Sequence, residues 1–383
     1  MKLSSKSTKW SLISTDKEGI GILCFYGLFI SILKTLFFIK TYTLLPCDII
    51  GPIRFLNNEV SLDKNTIAYD CIKSISMLPF IKLSAQITKV IGIFNYELIM
   101  FFAFSFIYFI GIFLLCEYFL KESRISLITA VILSISSVFS FFQYGYPFSP
   151  ASYSTIGALT QGLIPLILLS LVSKRFILTI VLLIVFIMFH TTQGIILTGL
   201  AFGYIAFRKD KSPKERICFI LSISLIVVIY IFFISRNLQG NLRDINFSEW
   251  ERIISLRALS FYMPWHVKGH VSTLLYTYLV VIILLFVVKD IGKSIYSNFM
   301  KGERDLYYIT YIVLAYTSIV VIIAIGGYYF KSTRILSFNG SRTAILLIFP
   351  IILLLAVFSK FLIEEYRIKS LPLIFLFLLT FLK

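Results

Sequence analysis

The sequence predicts an all-α fold, a polytopic transmembrane helical bundle with about 11 spans. Its 383 residues are 58% hydrophobic and only 14% charged, and the mean hydropathy is +0.91. No soluble core buries that much apolar surface, so the composition is typical of a protein that lies in lipid. The apolar runs approach the roughly 20 residues of one bilayer crossing, and they lack the alternating polarity of membrane β-barrel strands.

The whole chain, residues 1–383, is predicted to be a single integral-membrane domain without a separate soluble domain. Polar residues 1–18 form a cytoplasmic tail, and the apolar run that follows is expected to remain as an anchor instead of being cleaved as a signal. The predicted spans are residues 19–39, 97–117, 126–143, 156–172, 176–189, 194–207, 217–235, 271–288, 307–326, 343–360 and 370–382.

The distribution of Lys and Arg predicts that the N-terminus is cytoplasmic. With this orientation the cytoplasmic segments carry 20 Lys and Arg, whereas the opposite segments carry 14 over a greater length. This bias agrees with the positive-inside rule and makes residues 40–96 and 236–270 long extracytoplasmic loops. The net charge of +17 is dispersed between apolar runs, so we expect it to set topology and not to bind nucleic acid. Frequent Ile, Phe and Lys are typical of an AT-rich bacterial genome, so we expect the membrane to be a bacterial inner (cytoplasmic) membrane.

The stretch MFHTTQGIILTG, residues 188–199, places polar side chains between two apolar runs, 176–189 and 194–207. Basic residues flank the far ends of both runs, so the chain is expected to cross and return as a helical hairpin with its apex at residues 190–193. Each arm of 14 residues reaches about 21 Å, less than the roughly 30 Å hydrocarbon layer. The apex therefore lies below the outer surface or thins the membrane locally.

Two interpretations of this apex remain open. Polar groups at membrane depth need partners, so His190 and Gln193 either line a polar cavity as a functional site or belong to a plain turn. In the turn, Thr191 and Thr192 cap the second helix and Gly194 eases the bend.

The segment KLSAQITKVIGIF, residues 82–94, is predicted to be an amphipathic helix that lies flat on the membrane. Its polar face carries Lys82, Gln86 and Lys89. Its apolar face carries Leu83, Ile87, Val90, Ile91 and Phe94.

The acidic residues avoid the apolar runs. None of the 19 Asp and Glu lies in the middle of a span, which argues against proton- or sodium-coupled transport, because a transported cation needs a counter-charge at the midplane. Lys34 is the ionisable residue that lies well inside a run, and we expect its side chain to snorkel to the interface.

Several cationic side chains in the outer loops predict a site for a phosphate group. They are Arg252, Arg257 and His266 in the second long loop and Arg342 in the next one. Guanidinium groups bind phosphate oxygens bidentately, and binding of ordinary lipid headgroups is the alternative. His266 and His270 have the spacing of a metal pair, but no third ligand accompanies them, so we expect no metal site there.

An N-terminal span, a long outer loop with Asp48 in PCDIIGP just beyond it, amphipathic juxtamembrane helices and a basic late outer loop follow one another in this chain. This architecture resembles the GT-C class of integral-membrane glycosyltransferases and the related O-antigen polymerases and ligases. The resemblance covers most of the chain as architecture. It implies transfer of a sugar or glycan from a polyprenyl-phosphate or polyprenyl-diphosphate carrier to a glycan or protein acceptor on the extracytoplasmic face.

The resemblance also implies that Asp48 is catalytic, as the general base or a metal ligand. The loop has no D-x-D pair, so we expect no cofactor, and arginines would take the place of a metal. The expected phosphate-binding residues are Arg252, Arg257 and Arg342. The expected contacts to the sugar part of the substrate come from His190 and Gln193, and His266 is a further expected substrate-binding residue.

The rival class is a flippase or permease for a lipid-linked or soluble glycan, which performs no catalysis. Unequal loops and an odd number of spans disfavour it, since such transporters usually consist of two similar halves. A structural or assembly subunit that binds no substrate is a third class. Cys47 and Cys71 share the first loop and either form a disulfide in an oxidising compartment or remain two unpaired small residues.

Overall fold

The computed structural model describes residues 17–41, 47–64, 67–135, 161–207, 213–238, 247–248, 251, 270–295, 300–332 and 346–366. In these segments 90% of the residues are helical and none is in a strand, which confirms the all-α class for the described part of the chain. The helices are α1 (Lys17–Thr41), α2 (Cys47–Leu56), α3 (Ile67–Ser76), α4 (Pro79–Ile91), α5 (Ile93–Leu120), α6 (Ser123–Ile135), α7 (Ile164–Val172), α8 (Phe176–Phe189), α9 (Thr191–Ala206), α10 (Pro213–Leu238), α11 (His270–Ile295), α12 (Met300–Tyr329) and α13 (Ile348–Tyr366).

The helices extend past most of the apolar runs from which they are predicted. α8 coincides with its run, but α5 begins before and ends after residues 97–117, and α12 begins at Met300 instead of residue 307. Lys, Arg and Glu are good helix formers, so a helix continues beyond its apolar part. The run 370–382 lies outside the described residues. Within the described segments, α5 and the Asp305–Tyr329 part of α12 are long and apolar enough to cross a membrane, and the apolar stretches of α1, α6, α8, α9, α11 and α13 are shorter.

The central helix of the packing is α5, which contacts α1, α6, α7 and α13. Phe101, Tyr108 and Phe109 of this helix are fully buried. Gly111 allows α7 to approach, because a Cβ at this position would lie 3.1 Å from Cβ of Pro165. A helix that is apolar on all sides needs neighbours around it, and α5 has them.

Polar contacts join the C-terminal end of α5 to three other helices. The Tyr118 hydroxyl lies 3.2 Å from the carbonyl oxygen of Val172 in α7 and 3.3 Å from Oδ2 of Asp305 in α12. Lys360 of α13 donates from Nζ to the carbonyl oxygen of Leu120 at 2.7 Å, which satisfies a terminal carbonyl of α5. We call this end of the bundle the Tyr118 end.

α8 and α9 form the predicted hairpin, and its apex at His190 defines the opposite end, which we call the His190 end. The two helices cross very closely beside the turn. A Cβ at Gly194 would lie 2.7 Å from Cα and 2.9 Å from the backbone nitrogen of Ile187. Only glycine fits this crossing without a shift of one helix.

The cap of α9 differs from the plain-turn interpretation, in which Thr191 and Thr192 cap this helix. His190 is the N-cap residue, and its Nδ1 accepts the backbone N–H of Gln193 at 3.4 Å. The backbone of His190 is extended, with φ of −145°. That conformation turns the imidazole back toward the first free N–H groups of the helix, as a shorter capping side chain does elsewhere.

α12 runs antiparallel to α9 and extends farther than the hairpin. Tyr316 donates to the carbonyl oxygen of Ile196 at 2.6 Å, and Tyr308 donates to that of Tyr204 at 3.1 Å. This register places His190 level with about residue 322 of α12, so the last turns of α12 continue about 10 Å beyond the apex. The apex is therefore recessed relative to the end of α12.

α4 has three faces instead of the two that the sequence predicts. Its buried face consists of Phe80, Ile81, Ser84, Ala85 and Thr88. The polar face is exposed, as predicted, and consists of Lys82, Gln86 and Lys89. The remaining apolar face is also exposed and includes Leu83, Ile87 and Val90, the last with 84% exposure. Sequence periodicity separates polar from apolar residues, but it does not tell which apolar residues contact the protein.

Large apolar side chains are exposed along whole helix faces of the bundle. On α10 they recur every three or four residues at Ile217, Leu221, Leu225, Val228 and Phe232, each more than half exposed. α1, α11 and α12 have similar exposed faces. Exposed apolar residues at this spacing form continuous stripes along the helices.

Substitution of Gly194 tests the close crossing of α8 and α9. We expect Gly194→Ala to lower the free energy of unfolding by about 1 to 3 kcal/mol, because the new methyl group overlaps backbone atoms of Ile187. Gly203→Ala in the same helix is the matched control, since the nearest atom to its Cβ is 4.0 Å away. Thermal unfolding of both purified variants measures the difference, and an unchanged midpoint for Gly194→Ala would contradict this crossing.

Candidate functional site

Aromatic packing joins the hairpin to the first loop and to α5 at the His190 end. The ring of Phe189, the last residue of α8, lies with its centroid 4.1 Å from that of Phe80 in α4. The same ring makes an edge contact with Phe104 of α5 at 5.4 Å. Because His190 follows Phe189 directly, this packing fixes the position of the apex against two segments that are distant from it in sequence.

The first loop is folded onto the same end through α4. α2 packs against both α3 and α4, and Ile53 of α2 and Ile81 of α4 are fully buried. Asn57 beyond α2 donates to Oγ1 of Thr88 in α4 at 3.4 Å. Asp48 belongs to the first turn of α2. The helix that carries Asp48 is thus connected to the apex through α4.

A buried acidic residue that the sequence analysis overlooked lies nearby. Glu97 has only 3% exposure, although it occurs in the first turns of α5, where the predicted span begins. The adjacent Tyr96 hydroxyl and the Ser84 hydroxyl of α4 lie 2.5 Å apart and are buried. Glu97, Phe101 and Phe104 share one face of α5 by their four- and three-residue spacing, and this periodicity is the signal that could have identified Glu97 as an inward-facing residue.

The apex presents two nitrogen-containing side chains. Gln193 has 8% exposure, and its Nε2 makes no hydrogen bond to any other residue that the structure describes. Nδ1 of His190 accepts a hydrogen bond, so the neutral imidazole carries its hydrogen on Nε2. Both side chains can therefore donate hydrogen bonds to oxygen atoms of a ligand. A buried amide nitrogen without a partner is costly to the fold, which favours a ligand-binding role over a plain turn.

The second long loop contacts the end of α12. Tyr328 donates to Oε1 of Glu251 at 3.2 Å, and its ring lies 5.8 Å from that of Phe247. These contacts place Phe247 and Glu251 beside the part of α12 that continues past the apex. Arg252, which follows Glu251 in the chain, lies outside the described residues.

Of the predicted site residues, the structure brings His190 and Gln193 together at the apex. It places the helix of Asp48 against α4, and α4 packs against the hairpin. Arg252, Arg257, His266 and Arg342 lie outside the described residues. Cys47 and Cys71 lie in α2 and α3, which pack against each other. Among the described residues, no group of three or more His, Cys, Asp or Glu is arranged to hold a metal ion.

Comparison with known proteins identifies no relative of this chain. No protein family, no curated protein and no solved structure matches the chain.

The Ser84–Tyr96 contact provides a test of the docking of α4 on α5. We expect Ser84→Ala and Tyr96→Phe to be non-additive, with a coupling of about 0.5 to 1.5 kcal/mol in the free energy of unfolding, because each removes one partner of the same buried hydrogen bond. Chemical denaturation of the single and double variants measures this coupling. Ser222→Ala on the exposed face of α10 should be additive with Tyr96→Phe. If Ser84→Ala and Tyr96→Phe are also additive, the hydrogen bond between these residues does not hold α4 on α5.

Proposed function

We propose that this protein is an integral-membrane glycosyltransferase that moves a sugar or glycan from a polyprenyl-phosphate or polyprenyl-diphosphate carrier to a glycan or protein acceptor on the extracytoplasmic face. The observation that carries the proposal is the convergence at the His190 end. There α4 connects the helix of Asp48 to the polar apex of the hairpin and to α5, the helix that carries the buried Glu97, although these elements come from separate parts of the chain.

Placement in a membrane is supported by the exposed apolar stripes of α1, α10, α11 and α12. A monomeric soluble protein rarely exposes a contiguous apolar patch larger than a few hundred Å². Lipid tails solvate such faces at no cost, and several buried hydroxyls of the bundle, including those of Thr310 and Thr317, donate to backbone carbonyl oxygens. The proposal includes about 11 spans in a bacterial inner membrane with the N-terminus in the cytoplasm.

The contacts at the two ends agree with the proposed topology. At the Tyr118 end, Tyr118, Val172 and Asp305 meet, and each belongs to or borders a segment that the charge distribution assigns to the cytoplasm. At the His190 end, Phe80 of the first outer loop meets Phe189. Because successive helices alternate in direction, segments assigned to the cytoplasm lie at the Tyr118 end and the first outer loop lies at the His190 end.

A charged substitution on an exposed stripe tests the membrane placement. Leu225 of α10 is 61% exposed. In water, Leu225→Glu would change stability by less than about 0.5 kcal/mol, whereas a carboxylate that faces lipid costs about 2.5 to 3.5 kcal/mol. We therefore expect Leu225→Glu to reduce the amount of protein in carbonate-washed membranes severely.

The matched control introduces the same residue on the exposed polar face of α4. Gln86→Glu should accumulate like the unchanged protein. Equal accumulation of both variants, with Leu225→Glu recovered in the soluble fraction in folded form, would contradict the membrane placement.

The proposed reaction starts with an acceptor hydroxyl held at the recessed apex. His190 and Gln193 donate hydrogen bonds to sugar oxygens, and Asp48 takes the proton of the attacking hydroxyl. The hydroxyl oxygen forms a bond to the anomeric carbon of the donor, and the bond from that carbon to the carrier phosphate breaks. The phosphate leaves with the electron pair, and Arg252, Arg257 and Arg342 stabilise its negative charge.

Positioning accounts for much of the catalysis in this mechanism. The apex lies about 10 Å inside the end of α12, so an acceptor at His190 would be shielded by the surrounding helix ends. The carrier's lipid tail would remain between helices, and its phosphate would lie at the membrane boundary. No metal ion is required, because the guanidinium groups supply the positive charge.

Two substitutions test the proposed catalytic residues. We expect Asp48→Asn to abolish glycan transfer while carrier binding persists, because the amide cannot accept the proton. Arg257→Ala should reduce transfer by about tenfold to a hundredfold, since one charge-assisted contact to the leaving group contributes roughly 1.5 to 3 kcal/mol. Lipid-linked glycans extracted from membranes of expressing cells provide the measurement.

Asp63→Asn is the matched control for Asp48→Asn, because Asp63 is an exposed carboxylate in the same loop. It should leave the glycan profile unchanged. Normal profiles in both Asp48→Asn and Arg257→Ala, with the proteins inserted at the usual level, would rule out the proposed reaction.

A further inference from the structure

Lys34 lies inside the bundle and does not snorkel, contrary to the expectation from the sequence. It has 7% exposure, and its Nζ lies 6.0 Å from the centroid of the Tyr108 ring in α5. The residues beside it on α1, Ile32, Leu33 and Leu36, are by contrast about half exposed. The amine is therefore directed toward α5, and the apolar neighbours form the outer surface of α1.

The packing of α1 on α5 places a second polar residue close to this lysine. A Cβ at Gly27 would lie 2.8 Å from the Phe106 ring and 3.1 Å from that of Phe109, which fixes the level at which the helices cross. Lys34 begins about 10 Å farther along α1, and its side chain leans back toward the N-terminus of its helix. Because α5 runs in the opposite direction, the amine reaches the turn of α5 that carries Ser105 and Tyr108.

Two hydroxyl groups on this turn have no hydrogen-bond partner among the described residues. Ser105 and Tyr108 are both fully buried, and neither Oγ of Ser105 nor the Tyr108 hydroxyl is bonded. The hydroxyls of the facing helix differ, since Ser31 donates to the carbonyl oxygen of Gly27 and Thr35 to that of Ser31, both at 2.7 Å. The local backbone thus satisfies the hydroxyls of α1 and leaves those of α5 available for another acceptor.

We propose that Lys34, Ser105 and Tyr108 form a binding site for the phosphate group of a lipid. A phosphate supplies negative charge for the ammonium group and several acceptor oxygens for the two hydroxyl donors, which neither a sugar hydroxyl nor a cation can do. Lys34 lies near one end of the apolar stretch Ile20–Leu36, and its amine leans inward to the middle turns of α5, so the phosphate group is drawn in from the membrane boundary.

The exposed apolar side chains beside Lys34 identify the ligand as a lipid. A tail that lies along Ile32, Leu33 and Leu36 contacts the outer surface of α1 while its phosphate turns inward between α1 and α5. This site rests on the membrane placement proposed above, but it does not rest on glycan transfer. Two adjacent faces of α1 then bind the lipid: the outer face contacts the tail, and the face with Lys34 binds the phosphate group.

Lipid binding to the full-length chain in phosphatidylcholine nanodiscs tests the site. Native mass spectrometry measures the binding of polyprenyl phosphate, of phosphatidylglycerol, of polyprenol without phosphate and of inorganic phosphate alone. We expect Lys34→Met to weaken polyprenyl phosphate binding about tenfold or more, and Ser105→Ala and Tyr108→Phe to weaken it about threefold to tenfold each. Lys34→Arg should retain most of the binding, and Lys331→Met, at an exposed lysine near the end of α12, should retain all of it.

The lipid series decides what the site recognises. Preference for polyprenyl phosphate over phosphatidylglycerol supports a carrier lipid, and equal binding of both with the same dependence on Lys34 supports a general phospholipid site. Equal binding of polyprenol, or Lys34-dependent binding of inorganic phosphate alone, would overturn the proposal. Unchanged binding in Ser105→Ala and Tyr108→Phe would also overturn it, even if Lys34→Met fails to fold. Because no sugar is transferred in this assay, its outcome is independent of the Asp48→Asn test.

Discussion

The packing of Phe189 between Phe80 and Phe104 is the interaction on which the rest of the structure depends. It joins the first loop, the central helix α5 and the hairpin, three segments that are far apart in sequence. Aromatic pairs of this kind contribute about 0.5 to 1.5 kcal/mol beyond the burial of their surface. Together with the Ser84–Tyr96 hydrogen bond, this packing fixes the position of α4 and the attached α2 relative to His190.

α5 connects the two proposed sites. Phe104 contacts Phe189 of the hairpin, and Tyr108, one turn later on α5, lies beside Lys34 of α1. The hairpin contact and the proposed lysine site therefore lie about one helical turn apart along α5. Glu97 occurs at the start of the same helix.

The sequence was sufficient for features that depend on the contrast between polar and apolar residues. The hairpin follows from basic flanks and the polar residues 190–193, and α8 has the predicted bounds. The polar face of α4 was likewise predictable. The membrane placement and the number of spans stay predictions, as does the role of each arginine in the outer loops.

Features that depend on which apolar helix faces contact other helices were not predictable from the pattern of polar and apolar residues. In an apolar bundle, a side chain that faces lipid and one that faces another helix have similar hydrophobicity, so the buried third face of α4 left no periodic signal. Lys34 turned inward for the same reason: its run looks uniformly apolar, and only the contact with Tyr108 distinguishes its face. His190 and not a threonine is the N-cap residue because the backbone is extended at His190. Residue propensities do not determine that local conformation.

The central claim is that the first and second long loops meet on the same, extracytoplasmic side of the bundle. Labelling of single cysteines placed at residues 48 and 257, in a variant without the five native cysteines, tests it in intact cells with a thiol reagent that does not cross the membrane. The account predicts that both positions react before the cells are opened. Labelling of one position in intact cells and of the other only after lysis would place them on opposite faces and contradict the account.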